Sequence, residues 1–238
     1  AREILSHAPQ ENTPAKKEDF PPMQIHGTVY TEKAEAGKAL IEACKQLTNS
    51  DPVSMKFCSH CGHALTIGIP PLDNMPRHIC PNCHMIHYEN PKIVVCSIPT
   101  WETENETSIL LCRRAITPRH GFWTLPGGFM ENDETTEQAA RRETKEEAGA
   151  DVRISNLFSL MNLPVYHQVH LFYLAQLENT NFAPGEESLE TRLFTEKEIP
   201  WDQLAFSTIK YALKFYFEDR KKIQNDGNFG FHTLDLTK

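Results

Sequence analysis

The chain has 238 residues, 39% hydrophobic and 24% charged, with a formal net charge of −8. That length suits one good-sized domain plus a small one, in an ordinary globular composition. No run of 18 apolar residues occurs and the N-terminus lacks an apolar h-region, so neither a membrane span nor a signal peptide is expected. The acidic balance disfavours a long nucleic acid as the main partner, because phosphate binding needs dense Lys and Arg. It leaves room for a small phosphorylated substrate delivered with divalent cations. Seven cysteines, four of them in C-x-x-C pairs, point to a metal site in a reducing, cytoplasmic setting rather than to a disulfide framework.

Residues 1–22 are rich in Pro, Lys, Glu and Gln and read as a flexible tail. "MQIHGTVYT" reads as a short strand, and "EKAEAGKALIEACKQL" as a helix with a stripe of Ala36, Leu40, Ile41, Cys44 and Leu47. This piece buries too little to fold alone, so residues 1–54 read as an appended segment of unassigned role. Residues 55–90 hold the cysteine pairs, 91–222 the main domain and 223–238 a C-terminal tail. Within the main domain "KIVVCSIPTW" and "SILLCRR" are buried-looking strands joined across the polar "ETENET". A charged helix over 134–148 follows, then strands near 152–161 and in "QVHLFYLAQL", an acidic loop at 178–188, and a short strand in "LETRLF". "AFSTIKYALKFYFEDRKK" closes the domain as an amphipathic helix with Phe206, Ile209, Leu213 and Phe217 on one face. Strands on both sides of a helix, with another helix at the end, predict a mixed sheet between helices, an α/β (α+β) fold.

Cys58-x2-Cys61, an 18-residue gap and Cys80-x2-Cys83 have the spacing of a four-thiolate zinc ribbon, with Gly62 permitting the tight knuckle. Four thiolates leave no open coordination position, so the zinc would be structural. The alternative is four buried free thiols; His60, His63, His78, His84 and His87 lie nearby and read as polar surface residues. Cys44, Cys96 and Cys112 read as small core residues.

The charged helix is capped by Asp133, or by Thr135 with Gln138, and ends at Gly149. Glu143, Glu146 and Glu147 project from nearly one face, where like charges destabilise a helix by roughly 0.2–0.5 kcal/mol per pair. A salt-bridged solvent face could look similar. Hard cations, however, want such a carboxylate face, with sites left for water and phosphate.

Gly128, five residues, Glu134, seven residues, Arg142-Glu143, two residues, Glu146-Glu147, one residue and Gly149 resembles the signature of the Nudix hydrolases. Thr144 stands where that pattern usually has an aliphatic residue. With the ribbon, "HYENPKIVV", "FAPGEESLETRLF" and "EIPWDQLAF", residues 55–220 resemble the zinc-ribbon branch of the family. The resemblance implies an α/β/α sandwich and Mg²⁺- or Mn²⁺-dependent hydrolysis of a dinucleotide pyrophosphate, releasing AMP. The Ser-Gln-Pro-Trp-Pro-Phe-Pro motif of NADH pyrophosphatases is missing from "SLMNLPVYHQVHLFY", and the segment at 184–194 looks more like FAD and ADP-ribose pyrophosphatases. NADH or nucleoside triphosphate cleavage is the alternative within that chemistry, and a catalytically weak nucleotide-sensing or RNA-binding protein the alternative outside it.

By resemblance, Glu143, Glu146, Glu147 and the Gly127 carbonyl hold the catalytic ions, with Glu146 a further ligand or the base. Glu190 matches a downstream glutamate that some relatives use for metal binding or base chemistry; Glu134 and Arg142 hold helix and loop in register. Trp123, Phe129 and Tyr166 are candidates to stack on an adenine or flavin ring. The expected partner is a small dinucleotide, with a homodimer compatible with the family.

Overall fold

The computed structural model describes residues 55–104, 106–226 and 229–237. The strand and helix expected before residue 54 lie outside the described residues. Two compact units are present, the first ending at His87 and the second beginning at Tyr88. Among the described residues no helix is long and apolar enough to cross a membrane.

In the first unit, β1 (Thr66–Gly68), β2 (Arg77–Ile79) and β3 (Ile86–His87) form an antiparallel sheet in that order. Two knuckles carry the cysteines. Gly62 N–H bonds the Cys58 carbonyl and His84 N–H bonds the Cys80 carbonyl, each at 2.8–2.9 Å, with Gly62 and His84 both at positive φ. Phe57, Ile67, Ile69 and Leu72 are exposed while Cys58 and Cys80 are buried. The sulfurs thus lie inside this small unit while several of its large apolar side chains lie outside.

The second unit is built on a sheet of β4 (Lys92–Glu102), β5 (Thr107–Arg114), β8 (Val152–Leu163), β9 (Gln168–Leu177), β10 (Ser188–Thr195) and β11 (His232–Asp235). Their order is β10-β5-β4-β9-β8-β11, with β4–β9 and β8–β11 parallel and the other neighbours antiparallel, so the sheet is mixed as expected. The short β6 (Trp123–Thr124) and β7 (Gly127–Phe129) pair with β5 and β4. Both faces of the sheet are covered. On β4, Cys96 and Ile98 join a cluster with Ile209, Leu213 and Phe217 of α2 (Ser207–Asp226), whereas Val95 packs with Ala139 and Ala140 of α1 (Thr136–Ala148). That alternation is the period-2 rule applied to strands buried on both faces, the sandwich the sequence predicts. Ile209 and Leu213 are essentially fully buried, each contributing about 1.5–3 kcal/mol. Cys96 and Cys112 are core residues, as expected.

The tail expected after residue 223 is not featureless. Phe229 stacks on Tyr216 and packs edge-on to Phe158, and Leu234 and Leu236 pack against the same core. The buried Asp219 carboxylate accepts from Gly230 N–H at 2.8 Å and lies 2.8 Å from His232 Nε2. These contacts seat β11 on the outer edge of β8.

Candidate active site

The site is built where β7 meets α1. Gly127 and Gly128 lie on β7, beside Cys96 and Val95 of β4. A Cβ at Gly127 would stand 2.5 Å from Cys96 Sγ, and one at Gly128 would stand 2.6 Å from a Glu143 carboxylate oxygen. At Gly127 the neighbours include β4 backbone and glycine is required by close approach, whereas at Gly128 a Cβ would displace the Glu143 carboxylate. Helix α1 opens with a full capping box: Gln138 N–H donates to Thr135 Oγ1 at 3.2 Å and Thr135 N–H to Gln138 Oε1 at 2.7 Å. Of the two caps the sequence allowed, Thr135 is the one used. Gly149 ends the helix at φ 62°. Ala139, Ala140, Thr144 and Ala148 form its buried face. Thr144 Oγ1 is 2.6 Å from Ser97 Oγ on β4, so the residue that departs from the family pattern has a hydrogen-bond partner waiting in the sheet.

That packing fixes where the carboxylates go. Glu143 and Glu147 are buried, at 9% and 7% exposure, while Glu146 is exposed. Glu147 Oε2 accepts from Gly127 N–H at 3.2 Å. Arg142 makes five hydrogen bonds: a fork on Glu134 at 2.7 and 3.0 Å, then Glu143 at 2.8 Å, Glu146 at 3.0 Å and the Phe129 carbonyl at 3.1 Å. Glu134 also accepts from Glu131 N–H at 2.7 Å, so Arg142 and Glu134 tie the loop after β7 to the helix. The Arg142 bonds, with the Glu131 N–H, pull the Glu134 carboxyl down to about 2.

The two buried carboxyls shift the other way. Burial pushes Glu147 up to about 7; the Gly127 N–H offsets part of this, and the charge of Glu143 adds to it. Burial also raises Glu143, outweighing its bond from Arg142. The Glu187 charge raises both. Two buried carboxyls, both hard oxygen donors raised by burial and by neighbouring acidic charge, form an environment a divalent cation would relieve.

These groups line one wall of a cleft of about 1220 Å³. Glu186 and Glu187 extend the acidic wall, Arg114 and Arg119 stand in the lining as well, and Phe129, Tyr166 and Phe206 supply aromatic surface. Glu186 and Glu187 reach the wall because residues 182–187 dock on the end of α1. Ala183 N–H bonds the Ala148 carbonyl and Gly185 N–H bonds the Glu147 carbonyl, both at 3.0 Å, and a Cβ at Gly185 would run into the Glu146 carbonyl oxygen.

Two expected residues are not brought to this cleft. Trp123 is 7% exposed and packs edge-on against Phe194 at 4.8 Å, inside the core. Its indole holds β6 to the sheet instead of offering a face to a base. Glu190 lies on β10, half exposed and 3.8 Å from Arg113, outside the cleft lining. The pairing of β10 with β5 shifts register between Ser188 and Glu190. Phe129 and Tyr166 do line the cleft, at 47% and 70% exposure. Glu187, three residues before Glu190, does line the cleft, and "PGEES" carries the local signal for it: a turn glycine directly before two glutamates.

In the ribbon, Sγ–Sγ distances are 3.6 Å for Cys58–Cys83, 3.4 Å for Cys61–Cys80 and 3.5 Å for Cys61–Cys83. All four sulfurs lie within 4.8 Å of one another. A tetrahedral ion with Zn–S bonds near 2.3 Å needs edges of roughly 3.7 Å, so the four thiols fit a four-thiolate zinc.

Comparisons with known proteins agree with this architecture. The family model described as NUDIX domain matches residues 91–214, and a zinc-ribbon model described as Nudix N-terminal matches residues 56–89. A crystal structure of a NUDIX hydrolase from Nitrosomonas europaea is 50% identical, covers 77% of this chain and 100% of its own, and superposes with a TM-score of 0.71. The NAD-capped RNA hydrolase NudC of Photobacterium profundum is 29% identical over 72% of this chain and 63% of its own length. That of Vibrio atlanticus is 39% identical over 57% and 47%. The chain thus spans about half to just under two thirds of the NudC relatives it matches. An ADP-ribose pyrophosphatase of Methanocaldococcus jannaschii is 30% identical over 50% of this chain and 69% of its own. With the NUDIX match spanning more than half of its residues and a ribbon match ahead of it, the chain belongs to the Nudix hydrolase family, in its zinc-ribbon branch.

Proposed function

We propose that the chain is a divalent-metal-dependent pyrophosphohydrolase of nucleoside diphosphate derivatives, with ADP-ribose or FAD the favoured substrate and AMP the product. The observation that carries this reading is the buried Glu143–Glu147 pair against the Gly127–Gly128 turn, with Glu147 raised to about 7 at the wall of a dinucleotide-sized cleft. Glu143 and Glu147 would hold Mg²⁺ or Mn²⁺, with Glu146, Glu187 and the Gly127 carbonyl contributing further oxygens. Such ions withdraw charge from the anhydride oxygens and acidify a neighbouring water.

The chain's own groups do the rest. Arg142 holds Glu143 and Glu146 on one guanidinium edge, so their oxygens keep a fixed spacing as substrate arrives. Glu146 or Glu187, both exposed on the acidic wall, would take the proton of the attacking water. Glu187 takes the place expected of Glu190. Arg114 and Arg119 provide positive charge for phosphate oxygens, and Phe129 and Tyr166 provide faces on which a base can stack. In the ribbon, Cys58, Cys61, Cys80 and Cys83 would hold a structural zinc.

A second reading is favoured by the names of the relatives: an NAD-type dinucleotide, free or as the cap of an RNA, in the same cleft. Arg114 and Arg119 would then meet the first phosphates of the RNA. The separating experiment is chromatographic detection of AMP and mononucleotides from ADP-ribose, FAD, NADH, a nucleoside triphosphate and an NAD-capped RNA, each with Mg²⁺ or Mn²⁺. Fastest AMP release from ADP-ribose or FAD supports the first reading, and fastest decapping the second. No release from any of them by folded, zinc-loaded protein at stoichiometric concentration overturns both.

A further inference from the structure

Among the described residues of the ribbon, His87 is the buried polar side chain other than the cysteines. It closes β3, opposite His78 of β2, and is 9% exposed. Its Nε2 lies 3.4 Å from Cys58 Sγ. Two of the other sulfurs draw on amides: Cys83 N–H points at Cys80 Sγ at 3.4 Å and Asn82 Nδ2 at Cys61 Sγ at 3.8 Å. Cys58 is 3% exposed and cannot lean on water.

Four thiolates around one Zn²⁺ carry two net negative charges, and burying them is costly unless donors spread that charge over the sulfurs. We propose that His87 is a positioning residue of the metal centre: its Nε2–H donates to the Cys58 thiolate, fixing that sulfur's direction and raising the ribbon's hold on zinc. His87 is not itself a ligand. Nothing local in the sequence singles it out, since five histidines crowd the cysteine pairs and only burial beside Cys58 sets this one apart.

The test uses the full chain at one pH and reads the metal, not hydrolysis, so it stands or falls apart from the proposed function. His87→Phe keeps a ring and loses the donor; His87→Gln keeps a donor; His60→Ala removes an exposed neighbour as a control. Zinc affinity is measured by competition with a chromophoric chelator, and the sulfur-to-metal charge-transfer band is recorded on the Co²⁺-loaded proteins. We expect His87→Phe to lose roughly 10–100-fold in zinc affinity and to shift the band to lower energy. His87→Gln should recover most of both, and His60→Ala should match the wild type. Equal losses in the Phe and Gln variants, or an unshifted band in the Phe variant, would overturn the proposal in favour of packing. A wild-type cobalt spectrum of mixed nitrogen and sulfur ligation would overturn it in favour of direct coordination.

Discussion

Replacing Glu147 by Gln should make the protein more stable when no cation is bound at α1, while removing its activity. In the folded protein the Glu147 carboxyl is raised from 4.5 to about 7, chiefly by burial. At about 1.4 kcal/mol for each pH unit between those values, ionising it in place costs about 3 kcal/mol. The sign follows from proton counts. Below pH 4.5 the group is protonated folded and unfolded, and nothing is lost. Between pH 4.5 and 7 the unfolded chain gives up this proton first, so stability falls as pH rises, and above 7 the full cost is present. Gln is neutral throughout and its Oε1 can still accept from Gly127 N–H. Thermal melts in divalent-free buffer, without chelator so that the ribbon keeps its zinc, should therefore show Glu147→Gln melting roughly 6–12 °C above wild type at about pH 8. The gap should close by about pH 5. Adding Mg²⁺ or Mn²⁺ at the higher pH should raise the wild type and leave the variant nearly unmoved. A variant that melts at or below wild type at the higher pH, or a gap that does not shrink at the lower one, would refute the claim that this carboxylate is held at a cost for a cation.

Other parts of the site make separate predictions. Arg142→Ala removes five hydrogen bonds and should cost about 1–3 kcal/mol in denaturant melts; Arg142→Lys should not restore turnover, because an ammonium cannot reproduce the fork on Glu134. Gly128→Ala should push the Glu143 carboxylate aside and lower kcat by about 100-fold or more with little change in Tm. Gly185→Ala meets backbone instead, so it should lose about 1–3 kcal/mol of stability as well. Thr144→Val leaves the Ser97 hydroxyl unpaired in the core and should cost about 1–3 kcal/mol, of which the double variant with Ser97→Ala recovers at least half in a double-mutant cycle.

What could be read from the chain alone was local. The C-x-x-C pairs, the capping box at Thr135 and the glycine stop at Gly149 each declare themselves within a few residues, and the structure agrees with all three. The carboxylate face of α1 could be placed because helical side-chain spacing is fixed by the backbone. What escaped depended on distant partners. Glu190 stands half exposed beside Arg113, outside the cleft lining, after a register break in β10 that no local pattern announces. Trp123 looks like a stacking platform until Phe194, far along the chain, closes over it. Strand β11 pairs in parallel with β8, 73 residues away at Asn162 and Asp235, so only its scattered Phe229, Leu234 and Leu236 hinted at it. The burial that raises Glu147 is equally non-local, since it needs β4, β7 and α1 assembled at once.

The central claim is that the buried carboxylates of α1 serve metal-dependent cleavage of a pyrophosphate. Its most direct test is phosphorus NMR of ADP-ribose, FAD and NAD incubated with stoichiometric protein, with and without Mg²⁺, for wild type and Glu147→Gln. AMP should form from at least one of the three with wild type and Mg²⁺, and substrate should stay intact in every tube that lacks Mg²⁺ or carries the variant. Cleavage that persists in Glu147→Gln, or proceeds equally without a divalent ion, would contradict it.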